Sequence, residues 1–158
     1  MTQAGLLTMS QLTGVEETHL VTLPDGHRLQ SEAAEAFSAL QADARQAGFE
    51  LAIASSFRSF DRQLAIWNAK ADGSRPVHDD HGEALDLTVL PPAKKLRAIL
   101  RFSAMPGSSR HHWGSDPDVL DAGAVPGEYR AQLSPVEVAP GGVFDPLHRW
   151  LDQRMSAG

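Results

Sequence analysis

Residues 109–118 concentrate side chains that can bind a divalent metal. His111 and Asp118 lie seven positions apart in this segment, with Gly114 between them. An imidazole and a carboxylate are ligands that zinc accepts, and zinc in hydrolases usually takes three protein ligands and leaves a fourth position for water. Residues seven apart on a regular strand face opposite sides, so a bend is needed to bring both to one ion. Gly114 supplies the freedom for that bend.

A second polar element follows a predicted strand upstream. Ser56-Phe57-Arg58-Ser59 comes directly after an apolar run, and Gln63 follows it. The Arg58 guanidinium is permanently charged and can bind a carboxylate through two parallel hydrogen bonds. Its place directly after an apolar strand favours a position in a cleft, and a helix cap or an ion pair with a surface carboxylate remains the alternative.

Together the two elements resemble the signature of the VanY-type D-alanyl-D-alanine carboxypeptidases. Ser109, His111 and Asp118 match the family's Ser-x-His-x₆-Asp pattern, and the segment around Arg58 is similar to its Ser-Tyr-Arg-Ser…Gln element. The resemblance covers roughly residues 30–155. It implies a zinc peptidase of the hedgehog/DD-peptidase fold.

The resemblance also implies a role for each matching residue. His111 and Asp118 would bind zinc, and Arg58 would be the catalytic residue that pairs with the terminal carboxylate of the substrate or with the developing oxyanion. Three further side chains would contact the peptide: Ser56, Gln63 and Ser109. The implied reaction is hydrolysis of D-alanyl-D-alanine-type bonds in peptidoglycan stem peptides, with a stem peptide or another D-Ala-containing peptide as the partner.

The sequence departs from the family pattern in its third metal ligand. The family has a later Glu-x-x-His element that carries the general base and a third His, and no such element occurs before Gly158. Asp145-Pro146-Leu147-His148 has the spacing but lies in a predicted amphipathic helix. We therefore expect one peptidase-like domain over residues 1–158 that is incomplete at its C-terminus. A non-catalytic peptidoglycan- or protein-binding module and a metal-free structural domain remain alternatives.

Residues 78–86 imitate the end of the signature without completing it. The position seven before Asp86 is Asp79, not His, and no Ser precedes it at the family spacing. The Asp-Asp-His-Gly run is typical of a turn, so we expect His78 and His81 to face solvent.

Bulk composition limits the class of protein. The 158 residues include no Cys and carry a net charge of −6, which excludes thiolate metal sites and argues against a nucleic-acid partner.

No apolar run approaches the ~20 residues that span a membrane. Residues 1–14 lack Lys, Arg and a sustained apolar run, so they do not resemble a signal peptide. The location therefore stays open between the cytoplasm and the cell envelope that the resemblance implies, as does the oligomeric state.

Predicted strands and helices alternate along the chain without a regular βαβ rhythm. This favours an α+β domain, with a small antiparallel sheet flanked by helices. The first elements expected are a hairpin over 21–30 that turns at Asp25-Gly26, a helix capped by Ser31 and ended by Gly48, and a strand over 49–53. A helix capped by Ser59 then runs to Asp72, and a hairpin follows over 74–90. The remaining elements expected are a helix from Pro92 that is closed by Pro106-Gly107, a strand over 109–121, and a last helix carrying Phe144, Leu147 and Trp150.

Overall fold

A computed structural model describes residues 6–156. Within that range lie six α-helices and four β-strands, with short 3-10 turns between them. In chain order they are α1 Met9–Leu12, β1 Leu20–Thr22, β2 Arg28–Gln30, α2 Ser31–Gln46, β3 Leu51–Ser55, α3 Phe60–Ala71, α4 Pro92–Leu100, β4 Asp118–Asp121, α5 Pro135–Val138 and α6 Asp145–Ser156. No helix among the described residues combines the length and apolar character needed to cross a bilayer.

The strands form two antiparallel pairs, β1 with β2 and β3 with β4. The first pair is the hairpin predicted around Asp25-Gly26, and Gly26 takes the left-handed φ of +86° that the turn requires. In the second pair Leu51 lies opposite Asp121, and the register shifts between Ile53 and Ser55. This β-bulge places Asp118 opposite Ser55. Ser55 precedes Arg58 by three residues in the chain. The small antiparallel sheets and flanking helices confirm the predicted α+β class.

The apolar core lies between α2, β3 and α6. Its buried members are Leu29, Phe37, Ala44, Leu51, Ile53 and Leu147. Leu147 has no exposed surface, so the last helix packs on the strands through the face that its periodicity predicted. Helix α2 ends before Gly48, as expected, with φ at +90°. Its N-cap is Gln30 instead of Ser31, and no side chain caps it.

Helix α3 begins where the sequence predicted, because the Ser59 hydroxyl accepts a hydrogen bond from the Arg62 N–H at 3.2 Å. The sequence predicts Leu64 and Trp67 on the inward face of this helix; Trp67 is half-buried, but the prediction is wrong for Leu64. The buried side chains of α3 are Gln63, Ile66 and Lys70, whereas Leu64 is 37% exposed. Polar side chains replace the apolar ones on the inward face because each finds a hydrogen-bond partner there.

The segment between α3 and β4 is less regular than expected. The hairpin predicted over 74–90 is reduced to one bridge between His78 and Ala84. The turn predicted at the Asp-Asp-His-Gly run is present, because the Asp79 carboxylate accepts hydrogen bonds from the N–H groups of His81 and Glu83. His78 and His81 are exposed, as predicted. Helix α4 ends at Leu100, before the predicted Pro-Gly stop.

Candidate metal and peptide site

The segment before β4 is a turn and not the strand that we predicted over 109–121. Residues Arg110–Trp113 form a 3-10 turn, and the Ser109 hydroxyl accepts the His111 N–H at 3.3 Å to start it. Gly114 ends the turn in the left-handed region, at φ +72°. A Cβ there would lie 2.3 Å from a methyl carbon of Leu20. The expected bend at this glycine therefore exists, and the 3-10 turn adds a second one.

The two bends bring His111 and Asp118 together. Nε2 of His111 lies 3.1 Å from Oδ2 of Asp118. On the other side of the ring, Nδ1 lies 2.7 Å from the carbonyl oxygen of Asp116. A carbonyl oxygen only accepts, so Nδ1 carries a proton and donates it. The remaining ring nitrogen faces the carboxylate, an orientation that such an outer partner commonly fixes in metal-binding histidines.

This pair has the donors and nearly the spacing of two zinc ligands. Atoms that each lie about 2.0–2.2 Å from a tetrahedral zinc are roughly 3.3 Å apart, so the two side chains need only a small adjustment to hold an ion. Asp116, the acidic residue beside them, directs its carboxylate to Arg110 at 3.0 Å on the surface. Within residues 6–156, no three His, Cys, Asp or Glu side chains gather to hold a metal, so the described part of the chain supplies two donors.

Arg58 adjoins this pair through both its backbone and its charge. Its N–H donates to the His111 carbonyl at 3.2 Å. Its guanidinium donates to Gln63 Oε1 at 2.9 Å and to Ser55 Oγ at 3.1 Å. Burial lowers the Arg58 pKa, and the negative charge of Asp118 opposes that shift. The side chain forms no salt bridge with any residue in the described range, so its positive charge is available to a ligand.

Gln63 lies beneath Arg58 instead of lining the cleft. It has no exposed surface. Its Nε2 donates to the Ala104 carbonyl at 2.6 Å, while Oε1 accepts from Arg58. Both polar ends are thus used within the protein. This geometry favours positioning of Arg58 over the peptide contact that the resemblance implied.

The two predicted serine contacts are also occupied by the protein. Ser56 Oγ lies 2.9 Å from Nδ1 of His27 and accepts the Arg28 N–H at 3.3 Å. Ser109 is 4% exposed and caps the turn that carries His111. The Ser56 hydroxyl therefore ties the end of β3 to the hairpin, and the Ser109 hydroxyl shapes the turn that carries His111.

His112 is a site residue that the sequence reading missed. It is fully buried. Its Nδ1 donates to the Arg58 carbonyl at 2.6 Å, and its Nε2 accepts the Gly107 N–H at 3.0 Å. Burial lowers its pKa, consistent with a neutral ring that uses one nitrogen as a donor and the other as an acceptor. His111 and His112 thus have opposite orientations: one faces the cleft, and the other fixes the backbone of Arg58.

Asp145-Pro146-Leu147-His148, the segment with the spacing of the family's Glu-x-x-His element, lies in helix α6. Asp145 begins α6, where its carboxylate accepts the Gly141 N–H at 3.0 Å and pairs with Arg149 at 2.8 Å. Those bonds lower the Asp145 pKa. Neither Asp145 nor His148 joins a group of three or more possible metal ligands in the described range, and both lie in α6, where the sequence predicted a helix.

Comparison with known proteins gives these residues a family. The family described as VanY, D-alanyl-D-alanine carboxypeptidase, matches residues 26–156. An uncharacterized protein of Haemophilus influenzae is 52% identical over 103 residues, which are 63% of this chain and 70% of that protein.

Two solved structures share the fold. VanYB in complex with D-alanine-D-alanine superposes with a TM-score of 0.58 at 21% identity, over 87% of this chain and 61% of its own. A mutant of the vancomycin-resistance D,D-pentapeptidase VanY in complex with Zn(II) gives a TM-score of 0.56 at 21% identity, over 85% of this chain and 60% of its own. The chain therefore spans about three fifths of each structure. From the family match over 26–156 and this shared DD-peptidase fold, the chain belongs to the VanY D-alanyl-D-alanine carboxypeptidase family.

Proposed function

We propose that this protein is a zinc-dependent peptidase that removes the terminal D-alanine from D-alanyl-D-alanine ends of peptidoglycan stem peptides, in the cell envelope. One observation carries the proposal. Nε2 of His111 and Oδ2 of Asp118 converge to 3.1 Å, and Arg58, which forms no salt bridge in the described range, is held beside them by its N–H bond to the His111 carbonyl at 3.2 Å. The substrate class comes from the family, whose solved relatives were obtained with D-alanine-D-alanine and with zinc.

Each side chain then has a distinct task. His111 and Asp118 hold the ion, which when bound polarises the scissile carbonyl and lowers the pKa of its bound water. Arg58 binds the free C-terminal carboxylate and so places the last peptide bond beside the ion. Gln63 and His112 hold the two ends of Arg58, its guanidinium and its carbonyl. The binding energy at Arg58 would favour substrates with an unblocked end.

The number of donors sets the expected zinc affinity. Catalytic zinc usually has three protein ligands, and the described residues bring two together. We therefore expect this 158-residue chain to bind zinc weakly and to turn over substrate slowly. Tight zinc binding with rapid turnover would mean that a further residue, such as His148, moves to complete the site.

Peptide binding provides the decisive test. An N-acylated peptide ending in D-Ala-D-Ala and its C-terminal amide are titrated into the chain by calorimetry, with and without zinc. The free acid should bind more tightly, and Arg58→Ala should remove the difference, since a charge-assisted hydrogen bond is worth about 1.5–3 kcal/mol. The control is Arg62→Ala, which removes an exposed cation of the same helix region. Equal binding of acid and amide to the unaltered chain would refute the proposed role of Arg58.

A second candidate function follows from the two-donor site. A binding module of the same fold would hold the peptide without cleaving it. Release of D-alanine at saturating zinc distinguishes the two, because a module gives acid-selective binding and no D-alanine.

A further inference from the structure

Arg58 also lines a cavity of about 470 Å³. Neither His111 nor Asp118 lines it. The lining of the cavity includes three cations, Arg58, Lys70 and Arg75, and one carboxylate, Asp79. Its volume falls within the range of about 300–1,000 Å³ typical of small-ligand sites.

Lys70 is the unusual member of this wall. It is 9% exposed, and its ammonium donates to the Ser103 hydroxyl at 2.6 Å. No carboxylate of residues 6–156 lies within salt-bridge distance of it. Burial lowers its pKa, and the charges of Arg75 and Arg58 lower it further. A buried cation without a counter-charge destabilises the fold. An anion bound beside Lys70 would supply the missing counter-charge.

Asp79 does not supply that counter-charge. One of its carboxylate oxygens accepts the N–H groups of His81 and Glu83, and the residue forms no salt bridge with a described cation. The cavity is therefore a positive site on a chain whose net charge is −6. Such a local reversal of charge attracts anionic ligands.

The remaining lining indicates what kind of anion fits. Ile66, Pro76, Phe102 and Leu133 give the cavity apolar walls, and Ser103 and Ser134 add hydroxyls. Apolar walls around a few charged groups suit an organic ligand better than a free inorganic ion. Because Arg58 borders both this cavity and the metal-binding pair, a peptide held at Arg58 can extend a side chain toward Lys70.

We propose that this cavity is a second anion subsite, in which Lys70 and Arg75 bind a carboxylate-bearing side chain of the peptide whose terminal carboxylate is held by Arg58. The proposal rests on the proposed function and names its substrate class: peptides that carry an acidic residue in addition to the free C-terminus. Lys70 and Arg75 then select among peptide ends that Arg58 alone would accept equally.

Binding of matched tripeptides tests this subsite without requiring turnover. Three pairs of N-acetylated D-amino-acid tripeptides are compared, with glutamate or glutamine at the first, second or third position and D-alanine elsewhere. Calorimetry at about 0.15 M salt suppresses long-range attraction between exposed charges. At least one pair should show a preference for glutamate of about tenfold or more. Lys70→Met should abolish it, and Arg75→Gln, at an exposed position, should reduce it.

The control is Lys94→Met, which removes an exposed lysine of α4 outside the cavity lining and should keep the preference. The subsite is excluded if no pair favours glutamate, or if both Lys70→Met and Arg75→Gln retain the preference. The terminal carboxylate is present in every tripeptide, so loss of the glutamate preference is separable from failure of Arg58. Glutamate selectivity without any cleavage would support the subsite while removing the proposed catalysis.

Discussion

At the scale of single residues, the orientation of His111 decides whether the site can hold a metal. Its Nδ1 is occupied by the Asp116 carbonyl, and Nε2 faces Asp118. His111→Ala removes one of two donors, so the weak zinc binding expected of the chain should fall below detection in equilibrium dialysis against zinc. His81→Ala is the matched control, because that imidazole is exposed in the turn at Asp79. Unchanged zinc binding by His111→Ala would remove it from the ligand set.

The sequence predicted the side chains that converge. It predicted Gln63 as a peptide contact and not as a support of Arg58, and it missed the role of His112. His111, Asp118 and Arg58 follow from residue type and spacing. Gln63 and His112 act through hydrogen bonds to Arg58, and such contacts depend on the path of the backbone. The adjacent His111-His112 pair gave one clue, since neighbours on a turn must face different ways. Nothing in the periodicity of α3 indicated that Lys70 would be buried in place of Leu64.

At the scale of elements, the segment between β4 and α6 is organised by one carboxylate. Glu137 is 7% exposed and accepts hydrogen bonds from the Tyr129 hydroxyl at 2.6 Å, the Gln132 N–H at 3.0 Å and the Ser134 N–H at 3.1 Å. Burial raises its pKa, but these donors outweigh burial and leave it lowered. The spacing of Gly and Pro predicts a loop over this stretch, up to about Gly142. Ser134-Pro135-Val136-Glu137 has the spacing of a helix-start motif, which could have identified Glu137.

The lowered pKa of Glu137 predicts a pH dependence of stability. The unfolded chain takes up this proton more readily, so the contribution of Glu137 is complete above the ordinary value of 4.5 and is lost as pH falls through the lower folded-state value. Glu137→Gln cannot accept all three bonds and should lose about 1–3 kcal/mol of unfolding free energy near neutral pH. In urea titrations the variant should differ less from the unaltered chain as pH falls below 4.5. Glu35→Gln, on the exposed face of α2, should match the unaltered chain, and a pH-independent gap for Glu137→Gln would contradict this assignment.

Elements that carry their own start and stop residues were predicted well. The hairpin at Asp25-Gly26, the Ser59 cap and the Gly48 stop are local signals, and the structure has all three. The strand predicted over 109–121 is confirmed only at Asp118–Asp121. Ser109 and Gly114 favour a 3-10 turn before it, which alternation of side chains cannot reveal.

At the scale of the whole molecule, residues outside the family match support the site. The match begins at residue 26, yet the Gly14 carbonyl accepts the Phe60 N–H at 2.8 Å at the start of α3. Glu17 also forms an ion pair with Arg28, on the strand next to the site. The segment before the hairpin thus packs against the same turn that carries His112, and we infer that it is part of the functional fold.

Two glycine variants test this packing. Gly14 and Gly26 have similar positive φ values of +77° and +86°, so alanine at either position should lose about 1–2 kcal/mol from backbone strain. A Cβ at Gly26 meets nothing within 4 Å, whereas at Gly14 it would lie 2.5 Å from His112 Nδ1 and 2.9 Å from the Phe60 nitrogen. Neither neighbour can move without breaking a hydrogen bond, so Gly14→Ala should lose about 1–3 kcal/mol more and should weaken acid-selective peptide binding at Arg58. Equal unfolding free energies for the two variants in urea, with peptide binding intact in both, would mean that the N-terminal segment does not support the site.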